Sequence, residues 1–348
     1  MNYQNNKYEI AVANKNDGLK INQVFENESF EGKIAIQYLR NPDTLDSYRK
    51  EGERVVMMIV RDKNASNKII GTGGCILRKA YYQGKITTTG YLTGLKIIPE
   101  YQKKVYCIPQ IYQALYEETK AEVYYTTILS ENTSVQTMLE KKRKHMPTYH
   151  PVGEYCTYFC KTGGNKRTQV EFRECSSEEA RNFYEKSIEK VDFSMEWPDS
   201  YDLKNAQFYG LYQGRDLLAF GYVLNQQSYK QYIVRYYKGM YRYLSKLPTA
   251  WLGYPPFPKV NTVANCASAG IFVKDNEVTV AKELWQQMLK VSKKYDFLII
   301  GLTEDDPLLG IFQNGKSIKY KSRLYLVDWE KKDHAYIPRH SKIEVAFL

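Results

Sequence analysis

The stretch Gly90-Tyr-Leu-Thr-Gly-Leu-Lys-Ile-Ile-Pro-Glu-Tyr-Gln-Lys-Lys-Val-Tyr-Cys107 decides how this chain is read. β-Forming residues run up to Ile98 and stop at Pro99, which has no N–H to give to a ladder. A basic loop follows, and then a helical pattern over 108–120, where Pro109 is tolerated because it lies in the first turn. A helix N-terminus offers unpaired N–H groups and about half a positive charge, which suits a pyrophosphate. The order strand, basic loop, helix therefore predicts an anion-binding turn at 102–107.

Working outward, 8–12 reads as a strand and 17–25 as a helix, while 54–60 and 68–77 form an antiparallel hairpin around the turn-forming 62–67. Beyond the central stretch, 123–129 is a buried-type strand, Asn132 belongs to the cap of a helix running to about 144, and 155–161 is a strand. The run Lys141-Lys-Arg-Lys-His145 reads as the basic end of that helix, where cations complement the macrodipole. After the linker-like 163–166 the order repeats. A strand at 169–173, a helix at 178–190, a hairpin at 208–224, a strand at 267–273, a helix at 278–294, a strand at 297–302 and a short helix at 307–312 follow in turn. Residues 124–139 lie on 297–312, Gly94 on Gly270 and Gly73 on Gly221. The second copy carries a tyrosine-rich insertion at 229–259, read as an amphipathic helix packed on the surface or as a source of substrate contacts. Two copies of this order imply two similar α/β units. The last residues, 342–348, alternate apolar and polar and predict an ordered strand.

The segment at 90–107 resembles motif A of the GNAT superfamily of acyl-CoA N-acyltransferases, in which a strand ending apolar-x-Pro is followed by Gln/Arg-x-x-Gly-x-Gly/Ala. Gln102 stands on the Gln/Arg, Val105 on the first glycine and Cys107 on the second small residue, while Leu129-Ser-Glu-Asn132 and its helix look like motif B. The second half, through Leu302-Thr-Glu-Asp-Asp-Pro-Leu-Leu309 and Tyr320-Lys-Ser-Arg-Leu-Tyr-Leu-Val327, resembles the degenerate partner domain of tandem GNAT proteins. The resemblance implies an α/β fold with a mixed sheet and two tandem GNAT-like domains, the second degenerate. Residues 1–162 form the candidate acyl-CoA-binding domain, 168–330 the degenerate one, and 331–348 a strand-like tail. It also implies acetyl-CoA or another acyl-CoA as co-substrate and a small-molecule or peptide amine as acceptor. Backbone N–H groups around Leu95 and Ile97 would meet pantetheine and the thioester carbonyl. The loop from Gln102 through Lys103, Lys104, Val105 and Tyr106 to Cys107 would hold the pyrophosphate, and Asn132 would touch the pantetheine arm.

Three functional positions depart from the family pattern. Val105 replaces a glycine, Leu139 stands where a thiolate-protonating tyrosine is usual, and Gly94 stands where an acidic residue is often seen. If the glycine position needs a positive φ, valine strains the loop. A catalytic base is therefore not assigned; Glu131 and Tyr149 lie nearest the expected cleft, against readings as a helix-cap carboxylate and a surface tyrosine. The loop 273–278 carries two acidic residues, Asp275 and Glu277, against one lysine and would repel a pyrophosphate.

Composition bounds the alternatives. The 348 residues are 43% apolar and 26% charged, an ordinary globular balance. The longest strongly apolar run, 55–60, is far short of the roughly 20 residues that cross a bilayer. No apolar segment follows the first residues as in a secretory signal, so a cytoplasmic protein without a membrane span is expected. Six scattered cysteines are too few for a disulfide scaffold. His145, His150, Cys156 and Cys160 fall close together but lack metal-ligand spacing, and no metal is expected. The net charge of +11 favours an anionic partner, yet the charge is scattered, which argues against nucleic acid. Two classes remain besides a nucleic-acid binder: an N-acyltransferase, and a non-catalytic GNAT-like module that binds a ligand or partner, which Val105, Leu139 and Gly94 favour.

Overall fold

A computed structural model describes residues 3–4, 7–25, 33–102, 104–165, 168, 170–189, 191–197, 202–329, 338 and 340–348. The first half runs β1 (Tyr3–Gln4), β2 (Tyr8–Val12), α1 (Gly18–Phe25), β3 (Ile34–Arg40), α2 (Thr44–Tyr48), β4 (Arg54–Asp62), β5 (Lys68–Tyr82), β6 (Lys85–Ile97), α3 (Ile108–Thr119), β7 (Val123–Leu129), α4 (Thr133–Glu140) and β8 (Thr148–Lys161). The second runs β9 (Glu171–Glu174), α5 (Ser177–Ile188), β10 (Phe193–Met195), β11 (Gln207–Gln213), β12 (Asp216–Leu224), β13 (Lys230–Tyr237), α6 (Tyr241–Leu244), β14 (Cys266–Val273), α7 (Val278–Val291), β15 (Phe297–Thr303), α8 (Leu309–Gln313), β16 (Ser317–Asp328) and β17 (Ser341–Lys342).

The fold is mixed α/β. One large sheet has the order β1-β2-β4-β5-β6-β7-β16-β8-β15-β14-β12-β11-β9. β6 pairs with β7 in parallel through the α3 crossover, and β14 with β15 in parallel through α7. The continuous apolar run of β4 is buried, as a strand covered on both faces must be. The order β6-β7-β16-β8-β15-β14 reads alike from either end when the halves are exchanged. At its centre each half lends its last strand across: β16 sits between β7 and β8, and β8 pairs with β15.

The repeated glycines have physical causes. A Cβ on Gly73 would lie 2.5 Å from Ile111 of α3, and one on Gly221 would collide with Met288 of α7, so each lets the crossover helix sit close on its hairpin. One apolar cluster lies around α1, α3 and β4–β7. A second packs α7 and α8 on the other half, and a third packs α5 against β12 and residues 346–347.

Four segments differ from the sequence expectation. The insertion at 229–259 is not a surface helix: its 230–237 part is β13, antiparallel to β3, which the sequence pattern did not mark. Aromatic and β-branched residues in KQYIVRYY find a matching partner in IAIQYLR, and that pairing outweighs local helical spacing. α4 stops at Glu140, where Lys141 is already extended, so the basic run 141–145 is an exposed loop and not a helix end. At 342–348 the order is a two-residue strand and then a 3-10 turn at Val345–Phe347, with Ala346 and Phe347 buried. Finally, Tyr149 is buried rather than on the surface.

Candidate functional site

β6 and β7 stay paired only over Thr89–Tyr91 and Val123–Tyr125, then diverge. Thr126 Oγ1 donates to Leu92 O at 2.7 Å where the opening begins. Immediately beyond it the β5–β6 register slips: Thr72 faces Lys96 but Gly74 faces Thr93. The extra residue is taken up at Gly94, whose φ of +62° is open to glycine at little cost. Its carbonyl turns toward β5 and accepts from Thr72 Oγ1 at 2.7 Å.

The opening leads into a cavity of about 710 Å³. Leu95, Ile97, Gln102, Val105 and Asn132 all border it, so five of the nine sequence-derived coenzyme positions line one cavity. Gln102 folds its amide back onto Ile97 O at 3.1 Å, and Asn132 caps α4 by accepting from Val135 N at 3.4 Å. Lys104 and Tyr106 are exposed and do not border the cavity, and Cys107 is the buried N-cap residue of α3. Lys103 lies outside the described residues. Val105 is buried in the apolar cluster, and no described residue from Gln102 to Cys107 has a positive φ. The loop thus accepts valine without the strain anticipated from the missing glycine, because its N–H bonds to Tyr101 O in an ordinary turn.

Of the two base candidates, Glu131 is exposed and does not border the cavity. Tyr149 does border it, but its hydroxyl is bonded to that of Tyr112, and burial holds its pKa well above the usual phenol range. It remains protonated near neutral pH and cannot act as a base. Among the described residues that border the cavity there is no aspartate, glutamate or histidine; the charged ones are Arg40 and Lys96.

Another part of the lining was not legible in the sequence. Tyr38 of β3 and Tyr232 of β13 face each other with ring centroids 4.9 Å apart. Beside them Arg40 Nη1 reaches Glu51 Oε1 at 2.5 Å and Ser47 Oγ at 3.2 Å, with its guanidinium 4.3 Å above the Tyr48 ring. Lys230 Nζ is 3.4 Å from the same Glu51 oxygen, and both side chains are fully buried. Arg78, also buried, donates to Glu51 O at 2.6 Å and to Tyr125 Oη at 2.9 Å. Burial pushes the Glu51 carboxyl up, but the charges of Arg40, Lys230 and Arg78 outweigh it and hold the pKa below the ordinary value. Burial pulls the Lys230 amine down to about 8, although Glu51 opposes the shift. A charge set in an apolar strand, as in Cys-Ile-Leu-Arg78, was the one signal that could have marked this cluster.

Lys230 also donates to the main-chain oxygen of Leu348 at 2.6 Å, and Leu348 and Val345 border the cavity. The same C-terminal segment lies against β14 and β15 near the place where their parallel pairing over Cys266–Ser268 and Phe297–Ile299 ends. Tyr155 Oη donates to Ile343 O at 2.8 Å, Gln226 to Ala346 O at 2.8 Å, and Tyr222 Oη to Glu344 at 2.5 Å. A Cβ on Gly270 would collide with Glu344. In the second half, then, the chain itself covers the region equivalent to the opening.

No family model matches the sequence, and no curated protein matches it. Solved structures do match over nearly the whole chain. N-Myristoyltransferase of Saccharomyces cerevisiae with bound myristoyl-CoA shares 10% identity and a TM-score of 0.55, over 93% of this chain and 83% of that one. The fold is GNAT-like. A GCN5-related N-acetyltransferase of Anabaena variabilis gives a TM-score of 0.53 at 8% identity, covering 92% of this chain and 72% of that one. A conserved protein of unknown function from Enterococcus faecalis V583, a probable N-acyltransferase, gives 0.50 at 10% identity, covering 92% and 71%. At such identities the GNAT-like likeness is one of architecture. No described helix is long and apolar enough to cross a membrane.

Proposed function

We propose that this chain is a cytoplasmic acyl-CoA-dependent N-acyltransferase that moves an acyl group, acetyl or longer, from coenzyme A to a small-molecule or peptide amine. The observation that carries the reading is the opening between β6 and β7, set by the Gly94 bulge and continuous with the cavity. A parallel pair that parts leaves one edge of β6 without a strand partner, and edge N–H groups near Leu95 and Ile97 suit a pantetheine amide and a developing oxyanion. The N-terminus of α3 reaches the same cavity, which Ile108 borders, and suits the pyrophosphate. The lack of acidic groups among the described lining residues favours an anionic ligand.

In this reading the first half, 1–162, holds the coenzyme. The second, 168–330, walls the cavity and contributes Tyr232 from its insertion at 229–259, and the tail 331–348 supplies Val345 and Leu348. Coenzyme binding by the second half is disfavoured by Asp275 and Glu277, which outnumber Lys274 at the turn before α7, and by residues 343–347. The amine nitrogen attacks the thioester carbonyl, the C–S bond breaks, and coenzyme A leaves as thiol while the product is an amide. Unpaired cysteines fit a reducing compartment.

A second reading, a GNAT-like module that binds ligand without turning it over, is favoured by the bonded Tyr149 hydroxyl and the acid-free lining. Isothermal titration of CoA, followed by turnover of acetyl-CoA and myristoyl-CoA against an amine panel, tests both. Binding with turnover supports the enzyme. Binding without turnover supports the module, and absence of binding removes the acyl-CoA reading altogether.

A further inference from the structure

The insertion at 229–259 presents a surface that the coenzyme site does not use. Between Asp216 and Asp275 the chain has no acidic residue, while Lys238, Arg242, Lys246 and Lys259 are exposed. Among the described residues, none forms an ion pair with Arg242, Lys246 or Lys259. Interleaved with these cations, Met240, Tyr243, Leu247 and Leu252 are each more than half exposed, and Trp251 is 90% exposed. One exposed apolar side chain needs no explanation, but five between 240 and 252 do.

The segment is held in place by the rest of the fold. β13 pairs with β3, and Tyr237 and Tyr241 pack on the Phe257 ring with centroids 5.5 and 6.0 Å away. Buried Thr249 donates from Oγ1 to Pro255 O at 3.0 Å. Lys161 of β8 donates to Ala250 O, and Lys316 to Leu252 O at 2.8 Å, so the backbone is fixed on both sides of Trp251. A turn built this closely that leaves its tryptophan in water keeps apolar surface for a partner to bury. The mixture of side chains says which partner. Protein interface cores are depleted in lysine, and a nucleic acid that stacked on the rings would leave Met240, Leu247 and Leu252 without a use. An anionic bilayer surface takes all three components: headgroup phosphates for the cations, the interfacial zone for Trp251 and Tyr243, and the upper acyl region for the aliphatic side chains.

We propose that the insertion docks this chain, as a peripheral protein, on an anionic lipid surface, with Trp251 as the anchor and Arg242, Lys246 and Lys259 on the headgroups. The proposal is independent of the coenzyme reading, and its test needs no turnover. Vesicles of phosphatidylcholine, alone or mixed with phosphatidylglycerol, are sedimented with the full chain at physiological salt, and tryptophan emission is followed. Of the four tryptophans, Trp197 and Trp285 are buried and Trp329 is half-buried and stacked on Tyr116, so a change in emission reports chiefly on Trp251. Mixed vesicles should bind the chain, shift its emission to the blue and permit quenching by brominated acyl chains, and pure phosphatidylcholine should bind at least about tenfold more weakly. Trp251→Ala, at an exposed site, should keep its Tm and lose about tenfold in affinity. The pair Arg242→Gln and Lys246→Gln should lose roughly twentyfold together, since each removes one cation from the surface. Binding with the emission unchanged, or as tight in Trp251→Ala as in the natural protein, would reflect only the general attraction of a chain with net charge +11 and would overturn the proposal. So would absence of vesicle binding, whether the segment then retains RNA instead or joins two copies of the chain in sedimentation velocity.

Discussion

Replacing Glu51 by glutamine measures how much this cluster stabilises the fold. The side chain is fully buried, and one of its oxygens receives Arg40 at 2.5 Å and Lys230 at 3.4 Å. Glutamine keeps the shape and one acceptor, so the loss is almost purely electrostatic. Removing one partner of a buried ion pair costs about 3–5 kcal/mol. Two features set the figure here. Lys230, with a pKa near 8, can shed its proton at pH 7 for about 1.4 kcal/mol, which caps its share. Arg40 cannot discharge and supplies the remainder, giving a total of about 3 kcal/mol. For 348 residues the unfolding entropy is roughly 0.7 kcal/mol/K, so Tm should fall by about 4 °C. Calorimetry and urea titration read the loss, and a cycle with Lys230→Met isolates the pair. The double variant should be more stable than the sum of the single losses, since a buried ammonium without its carboxylate is then absent. A change below about 0.5 kcal/mol for Glu51→Gln, or strict additivity, would refute the account of a cluster held by one carboxylate.

Other outcomes follow from the same geometry. Burial lifts the Glu344 carboxyl to about 7, so the folded chain holds a proton that the unfolded one has lost between about pH 4.5 and 7. Stability from this group therefore falls as pH rises through that window. Glu344→Gln should flatten the slope and stabilise the protein at pH 7.5 by roughly 1–3 kcal/mol in a pH series of melts. Lys230, shifted down from 10.5 to about 8, acts oppositely: the unfolded chain binds the extra proton, so its contribution grows as pH rises from about 8 to 10, and Lys230→Met should abolish that rise. Val105→Gly should not tighten CoA binding, because no strain is relieved; the lost packing and added chain entropy should cost about 2–3 kcal/mol by denaturation, and tighter binding would contradict the loop geometry. Gly94→Ala forces a left-handed residue and should cost about 1 kcal/mol and weaken CoA binding in titration, whereas unchanged stability would mean that the bulge is not needed.

Local physics made much of the architecture readable. The runs at 8–12 and 123–129 became strands with the expected ends, and the α3 pattern began at Ile108 as its proline required, because period and turn chemistry are encoded within a few residues. The repeated glycines pointed to a repeated order, while the bulge at Gly94 emerged only from the strand register. Cavity-lining positions on one strand and the loop that follows it, such as Leu95 and Val105, came together because they are neighbours along the chain.

What spacing cannot carry is pairing between distant segments. β3 has no partner nearer than β13, so neither was read as a strand, and the 230–237 stretch kept its helical look until the tertiary contact existed. Gly94 and Gly270 occupy matching places in the repeat, yet one answers to its own φ and the other to a glutamate seventy-odd positions away. The exchange of β8 and β16, the burial of Tyr149 against Tyr112, and the meeting of Arg40, Glu51, Arg78 and Lys230 are likewise facts of assembly. Sequence by itself determined the local elements and a group of positions that line the cavity. Only the tertiary structure decided the charge beside the cavity, since a pKa depends on which side chains share a low-dielectric space, and that sharing is set by the fold as a whole.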